Sequence, residues 1–214
     1  MEKLDSPKHH RDVNSYECPR ALPLINHNSL PEAVEAYQAF LLVSSSLSPL
    51  KLWTSIEQAW PDVLQQDVQW LWSAPLYGRH GAGLYVTANS RDQIEAAAEG
   101  LQTLLPSSQV EIRLCKNDGH RHPMIDVSTN HPVQGLVAIS LLPEAQTRES
   151  EVVGALQNLT GVQQVRACYG ETDIWLLLAA SDLDAFREVL VHQIRGADGV
   201  ATTGTRLVYA SHCG

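Results

Sequence analysis

Val162-Gln163-Gln164-Val165-Arg166-Ala167, then Tyr169-Gly170-Glu171-Thr172-Asp173, then Ile174-Trp175-Leu176-Leu177-Leu178 is the stretch whose reading decides the fold of this chain. Two apolar, β-branched runs flank a short Gly/Asp segment, the pattern of a hairpin whose turn needs one residue free of a Cβ. Downstream, Ser181 is placed as a helix N-cap with Asp184 three residues on, close to a capping box. Phe186, Val189, Leu190 and Ile194 then recur at helical spacing, and a Thr-rich strand from about Val200 to Ala210 closes the segment. Upstream, Gln134 to Leu141 reads as a strand ended by Pro143. A helix follows with Val152, Val153, Leu156 and Leu159 on one face, closed by Gly161. The order is βαββαβ.

The same order is readable in the first half. Ala39 to Ser45 is a strand, and Ser48-Pro49 opens a helix carrying Leu52, Trp53, Ile56 and Trp60 until Pro61 stops it. Val68 to Pro75 is a strand with Val68, Trp70 and Trp72 assigned to one face. A glycine-rich turn spans Tyr77 to Gly83, and Leu84 to Ala88 is the third strand. Ser90 caps a helix with Gln93 at the capping-box position, Ile94, Ala97, Ala98, Leu101 and Leu105 form its buried face, and Gln109 to Leu114 alternates as a fourth strand. The expected fold is therefore α+β: two tandem ferredoxin-like βαββαβ lobes. Both helices of such a unit cover one sheet face, so the other face needs its own cover. Packing the lobes sheet to sheet, as an intrachain pseudo-dimer, supplies it. The expected division is a polar arm at 1–36, an N-terminal lobe at 37–115, a linker at 116–133 and a C-terminal lobe at 134–214.

Bulk properties narrow the function. The chain has 214 residues and a formal charge of −9, with no basic run longer than two residues, so a nucleic-acid-binding surface is not expected. Cys18, Cys115, Cys168 and Cys213 are far apart and form no CxxC pair, which reads as a reduced, cytoplasmic protein. No apolar run reaches the roughly 20 residues of a membrane helix, and Met1 to Arg20 lacks a signal peptide's apolar core.

The C-terminal lobe resembles the ligand-binding (RAM) domain of the Lrp/AsnC family. The residues that carry the resemblance are Leu159-Thr160-Gly161-Val162, Tyr169-Gly170-Glu171-Thr172-Asp173, Gly199-Val200, and Thr203 with Thr205. They follow the family pattern L-P-G-V, G-x-x-D, G-V and T-x-T, with Thr160 in place of proline. The resemblance implies a dimeric α/β barrel that oligomerises and binds an amino acid or similar small effector; a homo-oligomer or a protein partner is expected. It places the effector near the turn and the closing strand, at Tyr169, Gly170, Glu171, Asp173, Thr203 and Thr205. Asp173 suits an ammonium group and the two hydroxyls suit a carboxylate; equally, Gly170 and Asp173 serve a β-turn, and threonine is an ordinary strand residue. The family's helix-turn-helix has no counterpart in Leu52 to Trp60, so direct DNA binding is not expected. The equivalent N-terminal turn, Tyr77-Gly78-Arg79-His80-Gly81-Ala82-Gly83, lacks the Asp and offers Arg79 to an anionic group.

Other chemistry has thinner support. Cys115, Asp118, His120, His122 and His131 gather in and beside the linker, in a spacing that fits no standard zinc site. The same barrel superfamily contains haem enzymes and monooxygenases, and His192 is the helical candidate for an axial ligand. No catalytic residue, cofactor or metal is expected. An enzyme dependent on metal or haem, and a structural subunit, stand as alternatives. Trp53, Trp60, Trp70 and Trp72 fit an N-lobe core and lobe interface better than an aromatic ligand pocket.

Overall fold

The computed structural model describes residues 36–63, 68–105, 107–116 and 131–208. The first lobe runs β1 (Tyr37–Ser44), α1 (Pro49–Val63), β2 (Val68–Pro75), β3 (Ala82–Ala88), α2 (Arg91–Leu104) and β4 (Gln109–Leu114). The second runs β5 (Val133–Leu141), a 3-10 turn (Pro143–Arg148), α3 (Glu149–Gln157), β6 (Val162–Ala167), β7 (Ile174–Ala180), α4 (Leu183–Glu188) continued by a π-helical turn (Val189–Ile194), and β8 (Val200–Leu207). Each lobe holds one four-stranded antiparallel sheet, ordered β2-β3-β1-β4 and β6-β7-β5-β8. The βαββαβ order thus occurs twice, as expected. No helix among the described residues is long and apolar enough to cross a membrane.

Three cores follow from strand alternation. In the first lobe, Leu41, Val43, Leu84 and Val86 face α1 and α2 and meet Leu52, Ile56, Ile94 and Leu101. In the second, Val137, Ile139, Leu176 and Leu178 meet Leu156, Phe186, Leu190 and Ile194. The intervening residues form the third core, between the sheets: Phe40, Leu42, Trp72, Leu76 and Tyr85 from one lobe against Leu136, Cys168, Trp175 and Leu177 from the other. Burying each of its large apolar side chains stabilises the fold by about 1.5–3 kcal/mol. This shared core makes the chain an intrachain pseudo-dimer.

The sheets also meet at both edges. Cys115 bridges Cys168, and Leu76 bridges Val208, each pair antiparallel. Lys116 N donates to Ala167 O at 2.8 Å and Tyr169 N to Leu114 O at 2.9 Å along the β4–β6 seam. Tyr77 N donates to Leu207 O at 2.8 Å along the other. The eight strands therefore close into a barrel with few open edges.

Several local expectations change. Trp70 and Trp72 do not share a face: the β2–β3 register shifts between them, so Trp70 pairs with Val86 and Trp72 with Tyr85. One extra residue in a strand exchanges its faces, so Trp70 packs with Trp53 and Trp60 under the helices while Trp72 enters the inter-sheet core. The topologically equivalent strand β6 carries its own shift, between Val162 and Gln164. Helix α1 continues past Pro61 to Val63. A proline near a helix's C-terminal end removes one bond while its fixed φ still suits the helix. Ser90 and Gln93 do form the expected capping box. The cap of α4 is Asp182 rather than Ser181: its carboxylate accepts from Ala185 N, and Ser181 Oγ donates to that carboxylate. Gly161 lies beyond the end of α3 with φ of +85°, where an added Cβ would stand 2.5 Å from Ala179 O.

Candidate effector site at the interlobe seam

The Tyr169–Asp173 turn joins β6 to β7 and lies where the C-terminal lobe touches β4 of the first lobe. Its near end is pinned by Tyr169 N to Leu114 O, and its far end by Cys168 N donating to Asp173 O at 2.8 Å. Gly170 adopts φ of +120°, and a Cβ there would stand 2.7 Å from Nη1 of Arg113. Glycine is favoured here by the backbone conformation, and the guanidinium of Arg113 lies against its open side. Tyr169, Gly170 and Glu171 are exposed.

Both signs of charge converge on this turn, largely from the other lobe. Glu111, Arg113 and Cys115 form the inward face of β4, while Val110, Ile112 and Leu114 face the helices. Arg113 pairs with Glu111 and reaches to 3.9 Å from Glu171. Lys116 Nζ lies 5.6 Å from the centre of the Tyr169 ring and donates to Glu149 Oε2 at 2.6 Å. Behind Arg113 a polar relay crosses the barrel. Arg206 Nε donates to His80 Nδ1 at 3.0 Å, and His80 Nε2 lies 3.1 Å from Glu111 Oε2. Accepting at Nδ1 leaves Nε2 to carry the proton, so the ring is a neutral donor to Glu111. Burial first, and then the charges of Arg206, Arg79 and Arg113, hold the His80 pKa down to about 4.

The six residues named for the effector fall into two groups. Tyr169, Gly170, Glu171 and Asp173 are together in the turn. Asp173 is engaged structurally, its Oδ2 accepting from Leu141 N at 2.7 Å. Thr203 and Thr205 pair with Ile139 and Val137, so they lie on the helix-facing side of the sheet, across β5 from the turn. Thr203 Oγ1 accepts from Arg195 Nε at 2.7 Å, and Thr205 Oγ1 is buried without a hydrogen-bond partner among the described residues. The structure does not bring these hydroxyls to the turn. Arg113 and Lys116 escaped the sequence reading. Alternation along β4 puts Arg113 with Glu111 on one face, but which strand that face meets depends on closure between lobes.

Among the other candidates, Arg79 is exposed beside the buried His80. Cys115 faces Cys168, His131 is exposed, and Asp118, His120 and His122 lie outside the described residues. Among the described residues no three His, Cys, Asp or Glu side chains gather as a metal site. The His192 side chain is 66% exposed and lies 3.7 Å from Glu188, turned to solvent.

Comparison with known proteins bears on the C-terminal lobe and on the overall fold. Residues 134–213 match the Lrp/AsnC ligand binding domain. A comparison with curated proteins gives no match. Among solved structures, a mutant chlorite dismutase from Candidatus Nitrospira defluvii is similar at 14% identity, covering 86% of this chain and 94% of that one with a TM-score of 0.56. This likeness extends the shared fold to both lobes, a dimeric α/β barrel architecture. A transcriptional regulator from Neisseria meningitidis, solved as an L-Met complex, matches at 20% identity over 44% of this chain and 60% of its own, with a TM-score of 0.36. Escherichia coli AsnC matches at 18% identity over 57% of this chain and 74% of its own, with the same TM-score.

Proposed function

We propose that this chain is a non-enzymatic regulatory module of Lrp/AsnC type. It binds a small amino-acid-like effector at the interlobe seam and responds by changing its association with copies of itself or with a protein partner. The observation that carries this reading is the exposed Tyr169–Asp173 turn of the Lrp/AsnC-like lobe, set against Arg113 of the first lobe and Lys116 just beyond it. A zwitterion needs both charges: Arg113 and Lys116 are suited to its carboxylate and Glu171 to its ammonium group. Tyr169 adds an aromatic wall. Thr203 and Thr205 lie on the helix-facing side of β8, away from the turn, and are not part of the proposed contact. The pseudo-symmetric turn Tyr77–Gly83 carries no acidic residue of its own to stand where Glu171 stands in the other turn, so one effector site per chain is expected.

A thermal-shift screen of the full chain against the proteinogenic amino acids tests this reading, followed by size-exclusion chromatography with each hit. A saturable rise in Tm with a change in apparent size is expected. A flat screen points instead to a structural subunit whose partner is a protein.

The chlorite-dismutase-like fold motivates a second reading, an enzyme of the same barrel superfamily. A haem there would require an axial imidazole over an apolar cavity. His192 does not fit: it is turned to solvent beside Glu188, and Phe186, Leu190 and Ile194 fill the space beneath the second sheet. Stoichiometric metal in the purified protein would favour the enzyme.

A further inference from the structure

Cys115 ends the inward face of β4, and Cys168 follows β6, each in a different lobe. Their Sγ atoms lie 3.7 Å apart. The backbone bonds Lys116 N to Ala167 O and Tyr169 N to Leu114 O flank this pair on both sides, so the two cysteines occupy a non-hydrogen-bonded antiparallel position. Facing Cα atoms at such a position are about 4.5 Å apart, inside the range of about 4.4–6.8 Å that a disulfide spans. Forming the bond requires side-chain torsions to change, not the strands to move. Cys168 is 2% exposed, whereas Cys115 is partly exposed and is the more accessible of the two.

We infer that Cys115 and Cys168 form a dithiol modification site that reacts with small-molecule disulfides to clasp the two lobes covalently. The Cys115 thiolate attacks one sulfur of a disulfide RSSR, forming a mixed disulfide at Cys115 and releasing RS−. The Cys168 thiolate then attacks Sγ of Cys115, the mixed disulfide breaks, and a second RS− leaves. Two thiols are oxidised to one disulfide, RSSR is reduced to two RSH, and the two thiol protons end on the released thiolates. The product links β4 to β6 across a sequence separation of 53 residues and closes the barrel seam. This inference does not rest on the proposed effector, because it needs only the two facing thiols.

The pair can be isolated in the full chain by replacing Cys18 and Cys213 with serine. Folded protein is incubated with glutathione disulfide at about pH 8, near the ordinary thiol pKa. Intact mass and a peptide map should show loss of two hydrogens and a Cys115–Cys168 cross-link. Tm should rise on the order of 5–10 °C as the unfolded chain loses freedom, and dithiothreitol should reverse both changes. Cys168→Ser should trap glutathione stably on Cys115, whereas Cys115→Ser should leave Cys168 unmodified until the protein unfolds. A folded protein that gives no cross-link, a cross-link that appears only after denaturation, or a Cys168→Ser variant that takes up no glutathione overturns the inference. The wild-type chain mapped the same way guards against a variant that fails to fold.

Discussion

His80 shows how one side chain ties the lobes together. It is 3% exposed, accepts from Arg206 of the second lobe and donates to Glu111 of the first. Its folded pKa of about 4 lies below the ordinary 6.5, so between those values the unfolded chain binds the proton and the folded one does not. Stability must then fall as pH drops from about 6.5 to about 4, and the His80 contribution must level off below that window. Glu111, Arg206, Arg113 and Arg79 are the charges facing the ring, and the three arginines oppose its protonation. Urea denaturation across this range should show a shallower pH slope for His80→Gln than for the wild type. An unchanged slope would place the proton elsewhere. Arg166, 1% exposed, plays a comparable part on the other side: its Nε donates to the Tyr85 hydroxyl at 2.6 Å, again across the lobes.

At the scale of elements, the strand edges carry the information that alternation alone misses. Leu71 is the extra residue of the β2 bulge, since Trp70 opposes Val86 and Trp72 opposes Tyr85. Deleting Leu71 restores regular alternation with every neighbour on its present face, so the variant should still fold, at a cost of about 1–3 kcal/mol. Deleting Ser73 instead turns Ala74 and Leu76 away from the inter-sheet core, and that variant should lose its cooperative melt. Thermal unfolding by circular dichroism separates the two. Most of this level was legible in the sequence. Capped helices, glycine turns and apolar strands gave both βαββαβ units, because their signals are local. The bulge was not legible, because an unbroken run such as Val68-Gln69-Trp70-Leu71-Trp72 looks like an ordinary strand until its partner fixes the register. The cap at Asp182 was displaced by one residue for a similar reason: Ser181 and Asp182 are both good caps, and the strand end decides between them. For the candidate site, the turn was legible from its glycine and acids. Arg113 and Lys116 were not, because their relation to the turn exists only once the barrel closes.

The whole molecule is a dimer's architecture written in one chain. Phe40, Leu42, Trp72 and Tyr85 would face water in an isolated first lobe, so residues 37–115 expressed alone should self-associate, whereas full-length barrels bury that face internally. Light scattering on the lobe and on the whole chain checks this, and a monodisperse monomeric lobe would argue against the shared core. Covalent joining also frees the two halves to diverge. One turn carries Gly170, Glu171 and Asp173, while its counterpart carries Arg79 and His80, and Arg113 of the opposite lobe lies against the first turn. Effector recognition therefore rests on the seam. Its most direct test is a calorimetric titration of the wild-type chain and Arg113→Ala with the amino acid that gives the largest thermal shift. Saturable binding at one site per chain is expected, weakened about 10- to 100-fold in Arg113→Ala by the loss of one charge-assisted contact. Equal affinity in the two proteins, or no heat from any amino acid, would contradict it.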